Sequence, residues 1–495
     1  MSIAWERALA KSLADLAAVL GIPCQTGWTQ VEVTGVCEDT RRLIPGNLFV
    51  AISGHHQDGR AYVNHAMEKG AVAVLAEQAL SAPVPVFAVP HARVALACLA
   101  AAFYDDPTRE LFTVGVTGTN GKTTVCHWTA DILGRHCTRL LSTVRNPALG
   151  MPGLTTPPSP MIQSLAREAV SESMTTLILE ASSAGIEQER VSAIDFDACV
   201  FTNLSIEHVR HHNGLAAYRS AKLKLFEALK PEAWAIVNAD DPIADAVAAV
   251  TAAQVLRYGC SVEADVRASD IQLGSRSSRF VVHIAGANER MSVCLPTPGR
   301  HNVFNALAAI SVGVVAAVSL PDIVERLAKA GSLPGRNDFF CREDGVAAVV
   351  DFAHNAAALK ALLATLRPSY SRLIVVFGCP GDGEREKRTA MGKVSAQWAD
   401  RIVLTSDNPK HEDVRAIAEE IRAGMTGAPI PVSFVMDRAR AIGSAVEQAK
   451  PGDLVVIAGK GHEAEQLIED DRLPYSDGDV LETLGFVADV GTTDG

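Results

Sequence analysis

The stretch GVTGTNGKTT, Gly115 to Thr124, sits directly behind the apolar run Leu111-Phe112-Thr113-Val114. Glycines at 118 and 121 let backbone N–H groups turn inward around an anion. The helix predicted from Thr124 to Leu133 adds the partial positive charge of its N-terminus. Lys122 is placed to neutralise outer phosphates, and the Thr123 hydroxyl is a magnesium ligand of the kind such loops use. A strand before and a helix after is the setting a phosphate-binding loop requires. The strict G-x-x-x-x-G-K-[ST] pattern is broken only at Val116. A bare glycine turn would explain the glycines but gives no reason for the lysine and threonine, so the loop reads as a nucleotide cradle of Gly118, Thr119, Asn120, Gly121, Lys122, Thr123 and Thr124.

Three blocks of chain must position this loop, and 495 residues suit about three domains. Residues 1–107 alternate short β-like runs with helical stretches and end in the turn signal Asp105-Asp106-Pro107. Residues 108–334 carry strand candidates Phe112–Val116, Thr176–Leu179, Ala198–Thr202 and Ala235–Asn238 with helical segments between them, the signature of βαβ units; residues 265–295 read as a hairpin insert. Residues 335–495 repeat the alternation with Val346–Val350, Leu373–Phe377, Ile402–Thr405 and Leu454–Ile457. Each of these last strands runs into a polar cluster, and open parallel sheets bind ligands outside the carboxyl ends of their strands. The expected fold is α/β in three domains: a small α/β N-terminal domain, a central P-loop-type domain with a mostly parallel sheet, and a C-terminal Rossmann-like domain.

A net charge of −12 argues against a duplex nucleic-acid partner, because phosphate neutralisation needs a basic face. The ten cysteines are scattered, with no C-x-x-C and no zinc spacing, which suits reduced thiols in a cytoplasmic protein. Glu6, Arg7, Lys11 and Asp15 fall at helix-like intervals, so the first twenty residues read as an amphipathic helix and not a secretory signal. Val303–Pro321 has no charge, but its asparagine, serines, glycine and many alanines fit a buried helix better than a membrane span. No membrane partner is expected, and the chain is read as a monomer acting on small molecules.

The loop GTNGKTT resembles that of the Mur ligase superfamily of ATP-dependent amide ligases, and within it the tripeptide-synthetase (MurE) type. The likeness spans all three blocks: EDTRRLIPGNLFVAISG in the first; LTTP, LEASS, FTNLSIEH, YRSAKLKLF and GRHNVFNALAAI in the second; LPGR, VDFAHN, EKRTAMG, TSDNPK and GKGHE in the third. The resemblance implies that ATP converts a substrate carboxylate to an acyl phosphate, which an amine then attacks to give an amide, ADP and phosphate. It implies a nucleotide-sugar (UDP) site in the first block, an ATP site in the second and an amino-acid site in the third. It assigns Mg²⁺ to Thr123, Glu180, His208 and a carbamoyl group, from CO₂, on Lys222. It assigns further ATP contacts to Asn302, Asn305, Arg336, Asp351 and His354. The nucleotide-sugar peptide would meet Thr40, Thr155, Thr156, Ser182, Gln188 and Arg190, and the incoming amino acid would meet Arg388, Asp407, Asn408, Lys410, Gly459 and Glu463. The implied reaction adds an amino acid such as meso-diaminopimelate to UDP-MurNAc-L-Ala-D-Glu for peptidoglycan.

The chain departs from the family's usual wording in several places. Ala184 replaces a histidine, Glu207–His212 reads EHVRHH, Asn355 replaces a threonine, Gly381–Glu384 reads GDGE, and Lys410 replaces an arginine. The ATP and magnesium residues mostly survive these changes, and the carrier and amine contacts are the ones they put in question. Two other readings follow: a relative that joins an amino acid to a different carboxylate, and a non-catalytic protein that kept the fold. Joint retention of Lys122, Glu180, His208 and Lys222 speaks against the last.

Overall fold

The computed structural model describes residues 9–489 apart from 24, 26, 55–56, 152, 206–213, 287–288 and 428. Strands are numbered along the chain. A two-stranded ribbon, β1 (Lys11–Ser12) and β2 (Glu32–Val33), precedes a four-stranded parallel sheet of β3 (Gly35–Cys37), β4 (Asn47–Ala51), β5 (Ala73–Ala76) and β6 (Val86–Ala88). The N-terminal helix is shorter than its polar spacing predicts. Lys11 is in β1, and Ser12 caps a helix, Leu13–Val19, by accepting from the Asp15 N–H; Glu6 and Arg7 lie outside the described residues.

The central sheet holds β7 (Phe112–Thr117), β8 (Thr138–Leu141), β9 (Thr176–Glu180), β10 (Ala198–Phe201), β11 (Trp234–Asn238), β12 (Gln254–Gly259), β13 (Val266–Leu273), β14 (Ser278–Ile284) and β15 (Glu289–Leu295), in the order β15-β14-β13-β12-β11-β10-β7-β9-β8. From β8 to β13 it is parallel; β14 and β15 add antiparallel strands at one edge, as the alternating pattern of residues 265–295 predicts. The strand order reverses at β7, with β9 on one side and β10 on the other. Such a switch point leaves a crevice at the carboxyl ends, and the glycine loop leaves β7 at that point.

The uncharged run from Val303 forms a helix, Arg300–Val315, that packs against the helix following the loop. Val303, Ala306, Leu307 and Ile310 share one core with Val125, Trp128 and Ile132. A helix apolar on every side is a buried helix. It stops before Ser319, which caps a separate helix, Leu320–Ala328, and no described helix is long and apolar enough to cross a membrane.

The third sheet contains β16 (Asp338–Cys341), β17 (Ala347–Asp351), β18 (Leu373–Phe377), β19 (Arg401–Leu404), β20 (Val432–Phe434), β21 (Leu454–Ala458) and β24 (Val487–Ala488), with a separate hairpin of β22 (Glu465–Ile468) and β23 (Asp471–Pro474). Strands β17 to β21 are parallel, and β16 and β24 are antiparallel additions at one edge. Its predicted strands agree with the observed ones to within a residue or two, because buried parallel strands are near-continuous runs of Val, Ile and Leu. All described cysteines are free thiols.

Candidate active site

The loop after β7 is built around two glycines in the left-handed region, Gly118 (φ 139°) and Gly121 (φ 88°). Either would be blocked by a side chain. A Cβ at 118 would fall on the Thr202 hydroxyl, and one at 121 on Asn305 Oδ1. The helix starts at Lys122, two residues earlier than its apolar run suggests, because Gly121 serves as a left-handed N-cap. Lys122 Nζ donates to the carbonyls of Gly118 and Thr119, both at 2.9 Å, so its ammonium already curls over the cradle. The neighbouring strand end braces the loop. Asn203 Oδ1 accepts from Asn120 N (3.1 Å), and Thr202 and Asn203 both donate to the Asn120 carbonyl (2.6 and 2.9 Å).

Besides Thr123 in the loop itself, Lys222 reaches it and Glu180 ends the strand beside β7, paired with Val116. Lys222, in the helix Leu215–Glu227, is 1% exposed, donates to the Gly118 carbonyl at 3.0 Å and lies 4.6 Å from the Tyr218 ring centre. Lys224, two residues on, is exposed. Glu180 ends β9 at 1% exposure; its carboxylate accepts from the Thr143 N–H (2.8 Å) and hydroxyl (3.1 Å). His208 lies outside the described residues. The Thr123 hydroxyl and Glu180 carboxylate are hard oxygen donors, which suit Mg²⁺ together with phosphate oxygens and water.

Beyond Glu180 the residues implied for a carboxylate-bearing substrate form one cluster. Thr156 Oγ1 donates to the Glu180 carbonyl (2.8 Å) and lies 2.9 Å from Ser182 Oγ; Arg190 donates to the Thr156 carbonyl (2.6 Å) and to Gln188 Oε1 (2.7 Å). Thr155 accepts from Thr143 at 3.3 Å. Burial lowers the Arg190 pKa, and Glu38 of the first sheet's edge opposes the shift; burial raises the Glu38 carboxyl, which Arg190 draws back down. Arg42 donates across to the Gly150 carbonyl at 3.0 Å, so the N-terminal unit docks beside this cluster. Thr40 is buried in the same turn, its carbonyl accepting from Lys69 at 2.7 Å.

The third unit packs over the cradle through its hinge, the Leu333–Arg336 turn that joins it to the second unit. Arg336 reaches Thr123 Oγ1 at 3.4 Å, and Asn355 donates to Asn120 Oδ1 at 3.0 Å. Burial raises the Asp351 carboxyl against the pull of Arg336 and of two N–H donors, Asn337 and Ala353 (both 2.8 Å). His354 Nδ1 stands 2.8 Å from the Phe352 carbonyl. Asn302 is held by Pro298 and Thr297 and supports Asn305. It lines a cleft with Thr124, Trp128, Leu333 and Arg336. Arg336 Nε and Asn337 Oδ1 are buried without a partner among the described residues. Glycines that tolerate no side chain, a lysine curled over them and orphaned polar atoms facing the same cleft fit a nucleoside triphosphate.

The implied amino-acid residues gather at the ends of β19 and β21. Asn408 donates to Glu463 (2.9 Å), Lys460 donates to both, and a Cβ at Gly459 would come 2.7 Å from Asp407 Oδ2. Lys410 has φ 51°, and its backbone is pinned to Leu467 and Glu469, while no described ion pair engages its ammonium. Arg388 differs from a free ligand-binding cation. It is fully buried, and its terminal nitrogens go to Glu412 (2.9 and 3.0 Å), Glu420 (2.9 Å) and the Pro380 carbonyl (3.1 Å). Arg388 holds the Glu412 carboxyl down to about 2. Beneath the pocket Arg438 and Asp477, both wholly buried, pair at 2.8 Å.

Comparison with known proteins agrees with this geometry. The profile of the Mur ligase middle domain matches residues 116–313, the Mur ligase glutamate ligase domain residues 335–461, and the Mur ligase family catalytic domain residues 32–104. The UDP-N-acetylmuramoyl-L-alanyl-D-glutamate--2,6-diaminopimelate ligase of Geobacillus thermodenitrificans is 37% identical over 89% of this chain and 92% of its own length. The chain belongs to the Mur ligase family. It is an ATP-dependent amide ligase of the kind that uses Mg²⁺. The protein of the same name from Syntrophomonas wolfei is 38% identical over 95% of this chain and 98% of its own. A solved structure of a ligase with that name is 29% identical, with a TM-score of 0.67 over 96% of this chain and 98% of that one. MurF from Acinetobacter baumannii, 20% identical with a TM-score of 0.67 over 91% of this chain and 95% of that one, shares the fold.

Sequence reasoning missed several braces of this Mur ligase site: Thr143 on Glu180, Thr202 and Asn203 on the loop, and the Glu412–Arg388–Glu420 group. The position of Thr202-Asn203 at a strand end beside β7 was the available signal.

Proposed function

We propose that this Mur ligase joins 2,6-diaminopimelate to the UDP-MurNAc-L-Ala-D-Glu carboxylate, as the names of its relatives describe for them, in cytoplasmic peptidoglycan precursor synthesis. Residues 1–107 would take the nucleotide sugar, 108–334 ATP and 335–495 the amino acid. One observation carries the reading: Lys122 and Lys222 both donate to the Gly118 carbonyl of the loop, Thr156 of the Thr156–Ser182–Arg190 cluster donates to the Glu180 carbonyl, and Arg336 reaches Thr123 of the same loop. Carboxylate, γ-phosphate and amine can therefore meet in one crevice.

The Gly118–Thr124 amides and Lys122 hold the phosphate chain. Arg190 and Ser182 orient the acceptor so that a carboxylate oxygen attacks the γ-phosphorus as ADP leaves. The amine, presented by Asp407, Asn408 and Glu463, attacks the acyl carbon, and phosphate departs. Most of the acceleration in such chemistry comes from positioning and from charge stabilisation at the transferring group. Mg²⁺, when bound near Thr123 and Glu180, neutralises the charge that develops on the phosphates. The carbamoyl group on Lys222 would convert a buried cation into an anion beside that site.

Lys410 supports an amine whose far end carries a carboxylate. Its ammonium attracts that group as a point charge and repels the distal ammonium of L-lysine. The test is a matrix of acceptors and amines read by ADP release and product mass. UDP-MurNAc-L-Ala-D-Glu with diaminopimelate should give the highest turnover, and Lys410→Ala should narrow the preference over L-lysine. A parent enzyme that prefers L-lysine, or another acceptor, refutes the assignment.

A further inference from the structure

The hinge, the exit of β17 and the loop after β21 are packed as one body. A Cβ at Gly335 (φ 64°) would overlap the backbone of Gly461 and His462, and one at Gly461 would sit 2.7 Å from the Gly335 carbonyl and 2.7 Å from Phe352 Cβ. That Gly335 carbonyl accepts from the Phe352 N–H at 2.9 Å. The Phe352 ring then has three neighbours among the described residues, one of them the His354 ring at 4.7 Å and 60°. The Arg336 guanidinium lies 4.6 Å from its centre, and the His462 ring lies 5.0 Å from it, tilted by 41°. His462 is flanked in sequence by the loop that holds Lys460 and Glu463, which bond Asn408 of the amine pocket. Arg336 reaches Thr123 of the phosphate loop. The backbones of these segments are in direct contact, and at Gly335 and Gly461 there is no room even for a methyl group.

Burial lowers His462 to about 4, so its ring is neutral near pH 7 and is suited to stacking and not to ion pairing. The guanidinium on Phe352 is desolvated, which strengthens its attraction to the ring face. Nothing in the reaction requires His462 to touch a substrate. Its Nδ1 is buried without a partner among the described residues, so hydrogen bonding at that atom does not explain its place.

We infer that His462 is a positioning residue: through Phe352 it fixes Arg336 to the amino-acid loop, so that occupancy of the amine pocket and of the nucleotide site favour each other. The inference rests on the proposed roles of Arg336 and Glu463. When the third unit closes, the amine loop and Arg336 arrive at the phosphate loop together. A ligand that stabilises the closed arrangement at either end therefore raises affinity at the other, by the same factor in both directions.

The experiment measures calorimetric binding of ADP–Mg²⁺ with and without diaminopimelate, and of diaminopimelate with and without ADP–Mg²⁺, for the parent, His462→Leu and His462→Phe. Leucine keeps apolar volume without the ring; phenylalanine keeps the ring without the nitrogens. The parent should show reciprocal tightening of ~5-fold or more. H462L should lose most of that factor while binding each ligand alone within ~2-fold of the parent, and H462F should recover it. Melting temperature checks that both variants are folded. A parent without coupling, an H462L protein with the parent's factor, or an H462F protein as defective as H462L each overturns the inference. ADP release by the parent with the full substrate set is scored separately. Failure there refutes the assigned substrates, whereas the coupling factors alone decide the role of His462.

Discussion

Replacing Gly121 by alanine tests the cradle with a single methyl group. The residue sits at φ 88°, where a side chain costs about 1 kcal/mol or more. The new Cβ would run into Asn305 Oδ1, so that side chain must swing and loosen its 3.1 Å bond to Asn302, a further ~1 kcal/mol. Together these give roughly 2–3 kcal/mol, carried by the loop that must hold the phosphates. If the loop relieves the strain by opening, kcat/KM for ATP falls by roughly 30- to 150-fold. Gly21→Ala is the control: Gly21 also has positive φ (66°), but nothing lies within 4 Å of its Cβ position, so only a small loss of stability is expected. The assay is ADP release against ATP concentration at saturating acceptor and amine, with thermal melts alongside. A Gly121→Ala enzyme with the parent's kcat/KM for ATP would refute the view that this glycine is required by close approach at the phosphate cradle.

Lys222→Ala should lose turnover by ~10²-fold or more, whereas exposed Lys224→Ala should not. Added formate should restore part of the loss if an anion is what position 222 supplies, and no rescue at any concentration counts against the carbamate. Asp477→Ala strands the buried Arg438 guanidinium and should destabilise the protein by ~3–5 kcal/mol in denaturant unfolding; adding Arg438→Met should recover most of that, and a double variant no better than the single would refute the pairing argument. Burial depresses His127 to about 3 and His301 and His462 to about 4, so between pH 6.5 and 4 the unfolded chain binds protons that the folded chain does not. Their contribution is intact above the unfolded value near 6.5 and is lost as pH falls toward the folded values. The raised carboxyls of Glu38, Asp197, Asp338 and Asp351 act in the opposite sense, whereas the lowered Glu412 carboxyl acts with the histidines. The melting temperature should fall from pH 7 to pH 5, and a flat or rising profile contradicts the dominance of the histidines.

What the sequence by itself determined was local. Gly118 and Gly121, followed by Lys122 and Thr123, specify a loop whose backbone geometry depends on neighbours only a few positions away, and the buried parallel strands announce themselves as apolar runs. The α/β class followed from their alternation with helices, and the ordered motifs pointed to the family. Tertiary structure decided which side chains meet. Arg336 is 213 positions from Thr123, and Asn355 is 235 from Asn120. Periodicity did not say that Lys222 is the buried lysine of its helix and Lys224 the exposed one, nor that Arg388 is committed to two glutamates. A helix or strand pattern states that a face is buried, but not what it is buried against. That choice is made by packing among segments far apart in the chain, where the free energy of each contact depends on how the whole interior is filled.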